Sequence, residues 1–119
     1  MASFRELEVY QRAQELFPKV YALVRRWNLL DQREMGSQII RAANSIHANI
    51  AEGHAKSIPD FKRYISIALG SCDEVRSHLQ DAANVGLMDS AQSKELLREY
   101  EIVGKQLTRL KQSLPSTRN

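Results

Sequence analysis

The sequence predicts an all-α fold, an antiparallel up-down-up-down four-helix bundle, and three observations carry that expectation. Apolar residues recur at alternating steps of three and four along four separate stretches, the pattern by which a helix turns one face to a core. Each stretch is bounded by capping residues, proline or glycine, the usual start and stop signals of helices. No segment alternates with period two, and there are no internal repeats or low-complexity tracts. Short connections between such helices make sequence neighbours run antiparallel.

The first helix is expected over residues 4–27. Tyr10, Ala13, Phe17, Val20, Val24 and Trp27 fall at steps of 3, 4, 3, 4 and 3, a heptad-like seam, and Leu16 and Leu23 widen it. Pro18 removes one backbone donor inside this stretch, which predicts a kink rather than an end. The second helix is expected over 31–52. Asp31-Gln32-Arg33-Glu34 has the form of a capping box with Asp in the capping role, and Gly53 supplies the stop. The third, over 58–85, opens with Ser57-Ile58-Pro59-Asp60: a serine cap, a first-turn proline and an early acid. Its seam is Phe61, Ile65, Ala68, Cys72, Val75, Leu79 and Ala82, with Gly86 as the stop. Gly70 in mid-helix predicts the close approach of another helix. The fourth, over 89–114, has Asp89 as its cap and Leu96, Tyr100, Val103, Leu107, Leu110 and Leu114 as its seam. Pro115 ends it, so residues 1–114 are read as a single domain and 115–119 as a disordered tail.

A chain of 119 residues, 43% hydrophobic and 26% charged, suits one soluble domain that buries about two-thirds of its unfolded-chain surface. No apolar run approaches the ~20 residues of a membrane span. The opening Met-Ala-Ser-Phe-Arg-Glu-Leu-Glu lacks the basic flank and apolar centre of a signal peptide. A cytoplasmic protein without a membrane partner is therefore expected. The one cysteine, Cys72, excludes an internal disulfide and fits a reducing compartment. Its place on a seam predicts a buried, structural thiol. A net charge of +3 permits an anionic partner without requiring one.

The second helix carries two stripes. Ile39, Ala42, Ala43, Ile46 and Ile50 share one arc, in line with Met35. Arg41, Ser45, Ala48 and Glu52 share another, with Asn49 at the border. The polar arc reads either as a solvated face or as an interhelical network that fixes register. A catalytic role has no nucleophile and base pair to rest on. On the third helix Ile67, Ser71, Glu74 and His78 share an arc beside the seam, and this arc is expected to meet the polar stripe. Arg41 would then pair with Glu74 or Glu52, and breaking such a buried pair costs about 3–5 kcal/mol.

Little else points to chemistry. His47, His54 and His78 form no ligand set, and Glu74 and His78 are four apart rather than the three of a di-iron bundle. There is no glycine-rich phosphate loop and no zinc spacing. No metal, no cofactor and no enzymatic activity are expected.

Two surfaces invite partners. The turn between helices two and three shares a pole with the end of helix four, which gathers Lys56, Lys62, Arg63, Arg109 and Lys111, with Lys105 and Arg118 nearby. Glu52 and Asp60 at the same pole, and Glu6 and Glu8, are counterweights. The cations serve either solubility and the helix ends or phosphate contacts with RNA or DNA, multiplied around an oligomer. No aromatic residue is expected to interleave them, which argues against base stacking there. Ile40, His47, Ile67 and Leu69 lie off the main seams and are candidate subunit-interface positions. Apolar residues on more than one face suit the head-to-tail contact of a ring.

The blocks Ser45-Ile46-His47-Ala48-Asn49-Ile50-Ala51-Glu52-Gly53 and Phe61 to Val75, the latter containing Ala68-Leu69-Gly70-Ser71 and then Glu74, carry a resemblance. With the opening Phe4 to Leu16 and the run Gln38 to Ile46, they resemble the four-helix bundle proteins linked to 23S rRNA intervening sequences. That family is related to the accessory proteins of diversity-generating retroelements, pentamers of bundles that bind nucleic acid beside a reverse transcriptase. The resemblance implies a cytosolic bundle, a homopentamer and no established enzymatic activity. It also marks Arg41, Ser45, Asn49, Glu52, Ser71 and Glu74 as the family's polar positions. The connection Asn28-Leu29-Leu30-Asp31 departs from relatives, which often carry a proline and a Glu-rich start. Two functional expectations follow. One is a non-enzymatic, self-assembling protein that binds RNA or DNA through the basic pole of its oligomer. The other is a purely structural or protein-interaction module that binds no nucleic acid.

Overall fold

Helical periodicity is realised along nearly the whole chain in the computed structural model, which describes residues 3–116. Every regular element among them is helical. The main helices are α1 (Glu8–Val24), α2 (Ser37–His54), α3 (Ile58–Asn84) and α4 (Ser90–Ser113). A 3-10 turn, Phe4–Glu6, precedes α1 and is capped by Ser3, whose Oγ accepts from the Arg5 amide at 3.2 Å. The expected first helix therefore breaks at Leu7, whose backbone is extended. Beyond it, α1 continues through Pro18.

The α1–α2 connection corrects one expected cap. Asn28, not Asp31, caps the turn Leu29–Asp31: its Oδ1 accepts from the Asp31 amide at 2.9 Å, and its Nδ2 donates to Asp31 Oδ2 at 2.9 Å. Gln32 is already helical, and its Nε2 donates to the carbonyls of Arg25 (3.1 Å) and Trp27 (2.9 Å). Orphan carbonyls at the end of α1 thus gain the partner that helix ends need. A wide π-type turn, Gln32–Gly36, then leads into α2, and a Cβ on Gly36 would overlap Val24 Cγ1.

Two glycines also behave differently from expectation. Gly53 does not stop α2, which runs on to His54. It is a contact point instead, since a Cβ there would lie 2.5 Å from Tyr64 Cβ. Gly70, expected to admit a neighbouring helix, has nothing within 4 Å of the place its Cβ would occupy. The α3 stop is as read: Gly86 has φ +84°, and Leu87 and Gly86 donate to the carbonyls of Ala82 (2.9 Å) and Ala83 (3.1 Å), the Schellman pattern. Ser57 and Asp89 cap α3 and α4, accepting from the Asp60 and Gln92 amides. Of the expected tail, residues 117–119 lie outside the described residues.

The four seams close one continuous apolar cluster. All seven seam residues of α3 are buried, as are Ile39, Ala42, Ala43, Ile46 and Ile50 of α2. Phe17, Leu110 and Leu114 are only partly buried at its margin. Trp27 Nε1 donates to the Leu87 carbonyl at 3.2 Å, tying the α1–α2 connection to the α3–α4 turn. At the opposite end Lys111 Nζ donates to Ser66 Oγ at 2.7 Å, and the Phe4 and His54 rings lie 6.4 Å apart. Neighbouring helices are therefore antiparallel, in a body of 52 × 23 × 22 Å. The α2–α3 pair is the most extensive and α1–α4 the thinnest of the four. Arg12 Nη1 crosses that thin seam to both carboxylate oxygens of Glu99, at 3.0 and 3.3 Å. No helix among the described residues is long and apolar enough to cross a membrane.

Candidate nucleic-acid interface

The six polar positions of α2 and α3 divide into a knot and an outer row. Ser71 Oγ donates to Ser45 Oγ at 2.8 Å, joining α3 to α2. Asn49 Nδ2 donates to the Ser45 carbonyl (2.7 Å) and to its Oγ (2.9 Å). All three residues are half-buried, so each bond replaces water that the packed helices exclude. Arg41, Glu52 and Glu74 stand outside the knot and are exposed. Among the described residues Arg41 has no ion pair, whereas Glu52 meets Lys56 (3.9 Å) and Glu74 meets His78 (3.4 Å). The expected Arg41–carboxylate pair does not form, because α2 and α3 touch along the edge of Ser45 and Asn49. Arg41 and Glu52 lie one step further round, in solvent.

The basic pole does assemble. Lys56 follows α2, Lys62 and Arg63 lie in the first turns of α3, and Lys111 comes from α4 through its bond to Ser66. Arg109 and Lys105 continue along α4, while Arg118 lies outside the described residues. Lys56 meets Glu52 at 3.9 Å, Arg63 meets Asp60 at 3.3 Å and Lys105 meets Glu101 at 3.4 Å. Lys62 and Arg109 have no ion pair among the described residues. Exposed pairs of this kind contribute about 0–1 kcal/mol, so the acids do not withhold these cations from a phosphate.

The structure places an aromatic ring among the cations, against expectation. Tyr64 has Arg63 Cζ 5.3 Å and Lys56 Nζ 5.8 Å from its ring centroid, both within cation–π range. Arg5 Cζ lies 4.7 Å from the Phe4 ring at the same end. The signal was present: Tyr64 directly follows Lys62-Arg63. What a linear reading lacked was the turn of chain that folds Lys56 back over the ring.

The candidate interface residues fare unevenly. His47 faces its own α1, edge-on to Tyr10 (centroids 5.9 Å) and Phe17 (5.7 Å). Its Nδ1 is buried without a partner among the described residues, and burial holds its pKa below the usual 6.5. Leu69 and Ile40 are partly buried against the core. Of the four, only Ile67 is open, at 43% exposure. These positions lie off the main seams because they pack at the core's margin, a place that periodicity alone does not distinguish from a subunit contact. Other exposed apolar residues, Leu29, Leu30 and Val85, lie at the pole opposite the cations.

Reactive groups are sealed. Cys72 is fully buried, its Sγ–H donates to the Tyr100 carbonyl at 3.1 Å, and burial pushes its pKa up to about 11, the opposite of an activated thiol. Burial likewise raises the pKa of the Tyr100 phenol, whose oxygen has no partner among the described residues. No group of three or more His, Cys, Asp or Glu among the described residues is placed to hold a metal ion.

The family model of the 23S rRNA-intervening sequence protein matches residues 5–109. A solved structure from Bacteroides thetaiotaomicron, a protein of unknown function from the S23 ribosomal protein family, superposes with a TM-score of 0.78. It is 23% identical, and the match covers 88% of this chain and 99% of that one, a likeness of fold. No curated protein matches the chain.

Proposed function

From the chain's membership of the 23S rRNA-intervening sequence protein family, together with its basic pole, we propose that it is a non-enzymatic, cytoplasmic, self-assembling bundle that binds RNA or DNA by phosphate contacts at that pole. The observation that carries this reading is the gathering of Lys56, Lys62, Arg63 and Lys111 from three segments onto one end, where exposed acids meet Lys56 and Arg63 and the Ser66 hydroxyl meets Lys111. Several such cations acting together favour a polyanion far more than any one ion pair favours the fold. The family name and the ribosomal name of the structural relative add weight to a nucleic-acid partner.

A mobility-shift titration with structured RNA and with duplex DNA, at two salt concentrations, tests the reading. Binding should fall by roughly a hundredfold for a fourfold rise in salt if about four phosphates are neutralised. No shift of either nucleic acid at low salt would overturn it.

The second part of the proposal is assembly as a homopentamer. Exposed Leu29, Leu30 and Val85 at one pole, and Tyr21 and Ile67 on the sides, leave apolar surface on more than one face, as a head-to-tail ring requires. The same observation favours the alternative, a structural or protein-interaction module. Light scattering should give about five times the 13.6 kDa chain mass; a monomer would refute the assembly.

A further inference from the structure

Among the described residues, Tyr64 is the one aromatic side chain of the basic pole that is not taken up by ring packing. Phe61 is buried, at 3% exposure, and stacks edge-on with His54 at 5.6 Å. Phe4 packs against the core and edge-on to Tyr10 at 5.0 Å. Tyr64 is half-buried, joins none of these ring pairs, and has two cations over its ring. Its root is fixed, because the α2 backbone at Gly53 comes so near that an added Cβ would lie 2.5 Å from Tyr64 Cβ and 2.9 Å from Cγ.

We propose that the Tyr64 ring is a stacking seat for one unpaired nucleobase, with Lys56 and Arg63 holding the phosphates beside it, so that the pole takes a single-stranded stretch of nucleic acid. This rests on the nucleic-acid reading above and narrows it. Aromatic stacking accepts any base, because every base has a π-face, but only a base freed from its duplex can reach the ring. The cations serve both strand types, since they contact the backbone and carry no information about pairing. Lys56 and Arg63 are each shared between the ring and one exposed acid, Glu52 or Asp60, and an arriving phosphate exchanges a weak partner for a stronger one. Because the ring is held at its root by α2, little freedom is lost when a base settles on it.

Fluorescence anisotropy with the full chain tests this. The probes are an unstructured labelled single strand and a duplex of equal phosphate number, each made as RNA and as DNA. Tyr64→Leu should weaken single-strand binding about tenfold, in the lower part of the range for one stacked base, while duplex affinity and the salt slope stay as in the wild type. Tyr64→Phe should keep both affinities. Equal loss on both probes, or no loss on either, would overturn the stacking seat and leave phosphate binding standing. No binding of either probe by the wild-type chain would remove the underlying reading as well. Should Tyr64→Leu fail to fold, the wild-type chain with an abasic single strand reads the same contact: about tenfold weaker binding than to the intact strand supports it, and equal affinity defeats it.

Discussion

Replacing Gly53 and Gly70 in turn by alanine makes the same chemical change in two helices and should raise stability at Gly70 but not at Gly53. A glycine inside a helix costs about 1 kcal/mol relative to alanine, so both substitutions begin with the same gain. At Gly70 nothing lies within 4 Å of the new methyl, and the gain is kept whole, worth roughly 4 °C in Tm for a chain of this size. At Gly53 the methyl would meet Tyr64 Cβ at 2.5 Å, Tyr64 Cγ at 2.9 Å and Phe61 Cδ1 at 3.2 Å. Tyr64 Cβ is one bond from the α3 backbone and cannot swing aside, and Phe61 is buried. Relief requires α2 and α3, the most extensively packed pair, to move apart. Overpacking of this kind costs about 1–3 kcal/mol, which cancels or exceeds the propensity gain. The two variants should therefore differ by roughly 1–3 kcal/mol in urea unfolding followed by far-ultraviolet circular dichroism. A Gly53→Ala protein stabilised as much as Gly70→Ala would refute the close approach of the two helices, and with it the fixed root assigned to Tyr64.

Three other outcomes follow from buried or half-buried polar groups. Tyr100→Phe should hold or raise stability by about 1 kcal/mol, since it deletes a buried hydroxyl with no partner among the described residues at little cost in shape; a clear loss in urea unfolding would reveal a hidden partner. Ser71→Ala should cost about 1 kcal/mol by removing the bond to Ser45, whereas Glu74→Ala, which loses only a 3.4 Å contact with His78 at the surface, should stay within about 0.5 kcal/mol. His47 should make the fold acid-sensitive: its folded pKa lies below 6.5, so the unfolded chain binds more protons as pH falls through that value, and stability present above it is lost below it. Thermal melts between about pH 7 and 5 should steepen with acidification in the wild type and flatten in His47→Gln; an unchanged slope would show that His47 does not carry the effect.

The core was legible because burial has a period. Every seam residue expected of α3 is buried, and those of α2 likewise, since a 3.6-residue repeat leaves only one arc for a core to occupy. Residues with two physical uses were not legible in the same way. Gly53 is equally good as a helix stop and as a point of close approach, and only the position of Tyr64 decides between them. Asn28-x-x-Asp31 and Asp31-x-x-Glu34 both have the form of a capping box; the choice falls to Asn28 because Gln32 is engaged with the carbonyls of Arg25 and Trp27. Arg41 and Ser45 share an arc in sequence, yet Ser45 reaches α3 and Arg41 reaches water. A step of four residues moves a side chain about 40° around a helix, and the contact edge is narrower than that arc. The Arg12–Glu99 bridge, 87 positions apart in the chain, leaves no local trace at all.

These distinctions bear on how stability and binding divide within the molecule. Along the middle of the bundle the side chains are committed: the apolar cluster is continuous, and the polar exceptions are spent on holding helices, Ser45 with Ser71 and Arg12 with Glu99. Substitutions there should change Tm and leave any ligand indifferent. At the basic pole Lys56 and Arg63 are exposed and loosely paired, so their loss should leave Tm nearly unchanged and affect binding alone. Tyr64 belongs to both regimes, divided within one side chain. Its Cβ and Cγ lie against α2 at Gly53, while its ring faces Lys56 and Arg63. Leucine keeps the two root carbons and removes the ring, and phenylalanine keeps both. A residue that only packed the helix pair would register each of these changes in Tm, and a residue that only bound would tolerate alanine at Gly53 without consequence. Tyr64 should do neither, and that combination of responses is what sets a positioned aromatic seat apart from an ordinary core tyrosine.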